Sequence, residues 1–156
     1  MKCLLLTLDY PPNRPGGMTN YFAGIARHFP AGEMVVLTGA AQGSAPVDEP
    51  CKVYRAPVAG GASVYIPLWI WLCLRIMRRE GITLLICGNA SPFKYVATAC
   101  RRLTGVPFVV HFFGNDLLRL RRRMQRSARA AAAARRMAQQ AGALVACSAF
   151  TADRTA

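Results

Sequence analysis

The sequence predicts an α/β domain built on a mostly parallel sheet with helices on both faces. Short apolar runs at 2–8, 34–37, 83–87 and 143–147 carry almost no polar residue, as expected for strands covered on both sides. Between them lie longer segments whose apolar residues recur three and four apart, the period of a helix buried along one stripe. Glycine or proline stands at most of the junctions. A repeated strand-then-helix order implies parallel strands joined by right-handed crossovers, and such sheets bind ligands at the carboxyl ends of their strands.

Lys2 to Leu8 reads as the first strand. From Thr19 to Phe29 the apolar residues Phe22, Ile25, Ala26 and Phe29 fall on one helical stripe, with Thr19 expected as the N-cap and Phe29-Pro30 as the stop. Met34 to Leu37 is a second strand, Thr38 to Pro50 a polar loop, and Cys51 to Arg55 a short third strand. Pro67 to Arg79 reads as a helix with proline in its first turn and Arg75, Arg78 and Arg79 near its end, where the helix dipole favours cations. Gly81 closes it. Thr83 to Cys87 is again a strand, Pro92 to Leu103 a helix with Gly105 as its C-cap, and Val106 to His111 a strand. Leu117 to Ala141 is expected to be one long helix, interrupted by nothing stronger than an alanine run and followed by Gly142. Ala143 to Cys147 is the last strand, and Ser148 caps a helix that barely begins.

With 156 residues, 53% of them hydrophobic and 17% charged, the chain can bury a substantial core as one compact domain, which excludes disorder and a disulfide scaffold. Twenty basic against seven acidic residues give +13, a balance suited to nucleic acid, an anionic membrane or a phosphorylated ligand. Seventeen of the twenty are arginine, a bias that a GC-rich coding sequence also produces. The six cysteines are scattered, without a CxxC or Cys/His cluster, which argues for reduced buried thiols and against structural zinc. The first apolar run is too short for a signal peptide. The longest, Ala62 to Leu74, contains Pro67 and falls below the ~20 residues that span a bilayer. A cytoplasmic protein is expected, peripheral on the inner membrane face at most.

Three places carry candidate chemistry. After the first strand, DYPPNRPGGMTNY places Gly16 and Gly17 where a helix begins; two glycines there form either a turn or a cradle for an anion at the helix N-terminus. The loop is neither GxGxxG nor a Walker A motif. In VVHFFGNDLL, His111 ends a strand and Gly114, Asn115 and Asp116 form the following turn. His111 either donates to a phosphate or sugar hydroxyl or bonds a loop carbonyl, and Asp116 either tunes it or caps the helix. His28, beside Arg27 at a helix end, reads as a surface residue. Finally, Arg119, Arg122, Arg126 and Arg129 follow at helical spacings as one basic stripe: a solvated face, or a contact for phospholipid or an anionic acceptor. No nucleic-acid motif accompanies the charge, so no nucleic-acid partner is expected.

LDYPPNRPGGMTNYFAGIARHF, HFFGNDLLRLRR and ALVACSAFTADRTA, in this order, are similar to the N-terminal, Rossmann-like three-layer half of a GT-B fold, family 4 retaining glycosyltransferase. The resemblance implies a two-domain enzyme with its active site between the halves, the N-terminal one receiving the acceptor and the C-terminal one gripping a nucleotide sugar. It implies that Gly16 and Gly17 face the donor diphosphate, that His111 points at the transferred sugar, and that Asn115 and Asp116 line the acceptor side. It implies no bound metal and no cofactor beyond the donor, the leaving charge being met by backbone amides and basic side chains.

The family's second half typically carries two glutamates seven residues apart, and none of the seven acidic residues here has that spacing. The expectation is therefore an acceptor-side domain, residues 1–156, whose donor-binding domain lies elsewhere in cis or in trans, and which has negligible activity alone. Its reaction would move a hexosyl group to a cell-envelope, lipid-linked or glycan acceptor. Many such acceptors sit at a membrane, which suits the helix with Trp69, Trp71, Arg75, Arg78 and Arg79, although tryptophan on a helix is also core material. The competing reading is a non-catalytic binding module that kept the fold; a basic nucleic-acid binder, recognisable by steep salt dependence, ranks below it.

Overall fold

The computed structural model describes residues 1–13, 16–40, 49–58 and 62–153. Pro15 and most of the polar loop expected between the second and third strands lie outside them. Along the described residues run β1 (Cys3–Leu6), α1 (Gly17–His28), β2 (Met34–Gly39), β3 (Lys52–Ala56), α2 (Ala62–Glu80), β4 (Leu84–Cys87), α3 (Ala90–Thr104), β5 (Phe108–Phe112), α4 (Gly114–Arg126), α5 (Ala128–Gln140), β6 (Ala143–Ala146) and α6 (Ala149–Ala152). The strands form one sheet in the order β3-β2-β1-β4-β5-β6, and every adjacent pair is parallel. The chain steps outward from β1 to β3, and α2 then carries it back to β4 on the other side of β1. Strand order therefore reverses between β1 and β4, the position where open α/β sheets leave a crevice for ligands.

Strand side chains alternate between two cores, as a period of two requires. Leu4, Leu6, Val35, Leu37, Leu85, Cys87, Phe108 and Val110 share one core with Trp69, Cys73, Phe93, Val96, Leu117, Leu120 and Met137 from α2 to α5. Cys3, Leu5, Met34, Val36 and Ile86 share a smaller one with Phe22 and Ala26 of α1. Helices thus cover both faces, as expected. The edge strands β3 and β6 are only partly covered, and Leu144 on β6 is 38% exposed. All six cysteines are free thiols, and Cys3, Cys73, Cys87 and Cys100 are buried.

Three local expectations are corrected. Helix α1 starts at Gly17 with Gly16 in the N-cap position, so Thr19 is not the cap; it lies in the first turn, and its hydroxyl donates to the Asn13 carbonyl over 3.4 Å. Helix α2 starts at Ala62, which puts Pro67 inside the helix rather than at its beginning. Proline there removes one N–H bond. Burial of the following face offsets the loss, because Trp69, Cys73, Ile76 and Met77 all enter the core. Helix α3 opens on an extended Ser91, so its regular part begins at Pro92, as the sequence places it. Lastly, the long helix is two helices: Ser127 adopts φ −154°, ψ 115°, and its side chain accepts a hydrogen bond from the Ala130 N–H. Serine favours this capping geometry over a helix interior, and the alanine run does not override it.

At the amino edge of the sheet, the Glu80 carboxylate at the end of α2 gathers partners from two strands. It accepts from Lys2 Nζ at 3.1 Å, Lys52 Nζ at 2.6 Å and the Tyr54 hydroxyl at 2.5 Å. The bonds from Lys52 and Tyr54 hold its pKa down at about 2.

Candidate functional site

The carboxyl edge of the sheet is built around the reversal between β1 and β4. Thr7, Leu8 and Asp9 follow β1, and Gly88 and Asn89 follow β4. The buried Asn89 joins the two ends: its Oδ1 accepts from the Thr7 hydroxyl and the Leu8 N–H, both at 3.0 Å, while its Nδ2 donates to Asp9 Oδ2 at 2.7 Å. Gly88 is required by packing. A Cβ there would come within 2.6 Å of Phe22 Cζ and 3.0 Å of Thr7 Cβ, so α1 lies almost on the strand backbone.

Phe22 and its neighbour Tyr21 connect α1 to His111. The Tyr21 hydroxyl is 3.3 Å from His111 Nδ1, and the rings of Tyr21 and Phe22, which also pack on Phe113, lie against the imidazole with centroids 5.9 and 6.2 Å from it. Burial among these rings lowers the His111 pKa, so the ring is neutral at pH 7. Gly17 lies four residues before Tyr21 on the same helix, roughly 6 Å of rise. Tyr21, one turn into α1, thus links the helix that Gly17 opens to His111 near the end of β5. No side chain caps this end of α1, and a Cβ on Gly16 or Gly17 would meet nothing within 4 Å. The fold does not demand glycine at 17, whereas the φ of +159° at Gly16 is one that L side chains rarely adopt. His28 is exposed and its Nδ1 lies 2.8 Å from the Gly24 carbonyl, a surface contact as expected.

Helix α4 starts directly after β5 and brings Asp116 to the same rim on the opposite face of the sheet from His111. Asn115 is exposed beside it. Asp116 has its pKa raised by burial and by the charge of Asp9, while Arg119 and a hydrogen bond with Asn89 oppose the shift. Its Oδ2 is buried without a hydrogen-bond partner. Next to it opens a cleft of about 510 Å³ walled by Tyr65, Ser91, Tyr95, Asp116, Arg119, Arg122, Arg123 and Arg126. Arg129 does not continue this row as expected. It stands on α5, beyond the break at Ser127, in an adjoining hollow with Tyr95 and Arg136.

Arg75, Arg78 and Arg79 group with Trp71 on α2, away from the rim, and the Arg75 guanidinium lies 5.3 Å from the Trp71 ring centre. Trp71 is 53% exposed, whereas Trp69 is fully buried, donates to the Pro57 carbonyl and packs on Phe93 at 4.8 Å. Trp69 is thus core and is unavailable to a membrane. No helix among the described residues is long and apolar enough to cross one. Nor do the described residues hold a group of three His, Cys, Asp or Glu side chains placed to share a metal ion.

A strand-reversal crevice, a glycine pair opening the first helix and a half-buried histidine near the end of the fifth strand occur in one sequence that matches, over residues 15–156, the family model described as Glycosyltransferase Family 4. The chain belongs to glycosyltransferase family 4. None of the curated proteins matches it. The family match begins just ahead of the two glycines and includes His111, Asn115, Asp116 and the α4 arginines. Within this family 4 domain, the reading of the sequence missed three residues that build the rim: Tyr21, Asn89 and Asp9. Asn89 and Asp9 each sit just past a strand, where such residues ordinarily signal turns; only the pairing of β1 with β4 brings them together. Tyr21 had a usable signal, a polar-tipped aromatic beside the buried stripe of the first helix.

Proposed function

We propose that this family 4 domain is the acceptor-side half of a nucleotide-sugar-dependent hexosyltransferase acting on a cell-envelope, lipid-linked or glycan acceptor in the cytoplasm. The observation that carries the reading is the contact of Tyr21, one turn into the helix that Gly17 opens, with His111 near the carboxyl end of β5, whose pKa burial lowers. In the proposed reaction the N–H groups behind Gly16 and Gly17 approach the donor diphosphate, which the missing side chains leave room to do. A neutral imidazole at His111 donates a hydrogen bond to the transferred sugar without adding a charge to the oxocarbenium-like centre. Asn115 and Asp116 border the acceptor. Backbone amides and arginines meet the charge on the leaving diphosphate, with no metal required.

The test is radiolabelled nucleotide-sugar transfer. A protein pairing this domain with a donor-binding domain transfers label; His111→Ala lowers the rate by about 100-fold or more, and Gly17→Val abolishes donor use while the fold stays intact. Unchanged transfer in both variants overturns the assignment. The chain alone, lacking the spaced glutamate pair, is expected to show negligible turnover, and measurable turnover overturns that part. A contact with an anionic membrane falls to Trp71, Arg75, Arg78 and Arg79. Equal flotation with anionic and neutral vesicles would remove it.

A further inference from the structure

The cleft beside α4 carries an uncompensated charge. Arg119, Arg122, Arg123 and Arg126 converge on it, and Asp116 is its one acidic wall residue. Among the described residues none of these four guanidinium groups forms an ion pair; Arg123 has only the Ser91 hydroxyl, 3.4 Å from its Nη1. Like charges three and four apart on a helix repel, so the folded domain bears a strain that a bound anion relieves. Next to the wall residue Tyr95 on α3 lies another cation, outside the lining itself. Lys94 is 2% exposed, its ammonium lies 5.0 Å from the Tyr95 ring centre, and burial together with Arg123 lowers its pKa.

Shape separates this region from a merely solvated basic face. At about 510 Å³ the cleft is of ligand size, and its Asp116 end adjoins the Asp9 and Asn89 rim. Several guanidinium forks facing one concavity are suited to the multiple oxygens of a phosphate, which they bind in bidentate fashion. A flat membrane surface would be met equally well by arginines on a convex face.

We propose that this cleft binds the phosphate of a phosphorylated acceptor, with Arg119, Arg123 and Arg126 holding the anion and the acceptor's hydroxyl end directed towards Asp116. The word acceptor rests on the transferase reading above; the phosphate site does not. Calorimetric titration of the chain with inorganic pyrophosphate at low salt, and flotation on phosphatidylcholine vesicles with and without phosphatidic acid, test it. Binding of pyrophosphate identifies a soluble phosphorylated ligand. Binding to phosphatidic acid vesicles alone identifies a lipid phosphate. In either case Arg119→Ala/Arg123→Ala weakens binding by about tenfold or more, a change of about 1.4 kcal/mol. Arg101→Ala/Arg102→Ala, at the far end of α3, changes it less than about twofold. The proposal is overturned if no probe binds, if the α4 double variant binds as the parent does, or if both double variants weaken binding alike. Circular dichroism confirms that the exposed substitutions leave the fold in place. No sugar donor enters these measurements, so their failure leaves the transferase reading to its own assay.

Discussion

The two edges of the sheet treat a carboxylate in opposite ways. At the amino edge, Glu80 is encircled by Lys2, Lys52 and Tyr54, and its pKa is held down at about 2. At the carboxyl edge, Asp116 is pushed up by burial and by Asp9, and one of its oxygens has no hydrogen-bond partner. Beside it stand four arginines, none of which forms an ion pair among the described residues, and burial lowers the His111 pKa. The amino edge is finished by the chain itself, and the carboxyl edge is arranged for something else to finish. Polar groups left unsatisfied at a strand-order reversal are a mark of function, because folding alone selects against them.

The contrast can be broken most severely at Asn89. Asn89→Ala strips the Thr7 hydroxyl and the Leu8 N–H of their acceptor and leaves Asp9 facing Asp116 unscreened, which should cost about 2–4 kcal/mol in denaturant unfolding. Gly88→Ala should cost about 1–3 kcal/mol by driving a methyl group into Phe22, whereas Gly114→Ala, with open space around it, should not destabilise the domain. Glu80→Gln should cost about 1–2 kcal/mol at pH 7. Because the folded pKa of Glu80 lies below its ordinary 4.5, its contribution is present above that value and is lost as pH falls towards about 2, so the variant flattens the acid limb of the stability curve.

Asp116→Asn should give the smallest change, with the reverse sign. A folded pKa above the ordinary 3.8 means that ionisation opposes folding, so stability declines as pH rises through the folded value; the amide removes that decline and raises stability slightly at neutral pH. His111 acts in the other direction: its folded pKa lies below 6.5, so stability is lost as pH falls through the window beneath that value, and His111→Gln should reduce the loss. If Glu80→Gln and Asp116→Asn shifted stability with the same sign at pH 7, the contrast between the edges would not hold.

Much of the fold is legible in local pattern. The central strands are continuous apolar runs, and their buried span from Cys3 to Leu6 or Leu84 to Cys87 falls within the segments that the pattern marks. Gly105 ends α3 in the left-handed conformation, and Ser148 caps α6, because both signals act within a few residues. What the pattern obscured depends on competition or distance. Ser127 looks like a minor interruption of an alanine-rich helix, yet its hydroxyl captures the next helix's N–H groups. Pro67 looks like a beginning, yet core burial carries α2 through it. At the site, His111, Asp116 and the glycine pair are visible as residues at or after strand ends. Tyr21 reaches His111 across 90 residues and Asn89 joins Thr7 across 82, and no local spacing reveals that.

The glycines around the rim divide into two kinds, and a population of variants would feel the difference. If a randomised library were sorted only for folding, position 88 would keep its glycine while positions 17 and 114 filled with larger residues, since the first abuts a phenyl ring and the others face empty space. Sorting the same library for sugar transfer would purge position 17 as well. Comparing the two survivors' lists would separate what the architecture needs from what its visitor needs, one codon at a time.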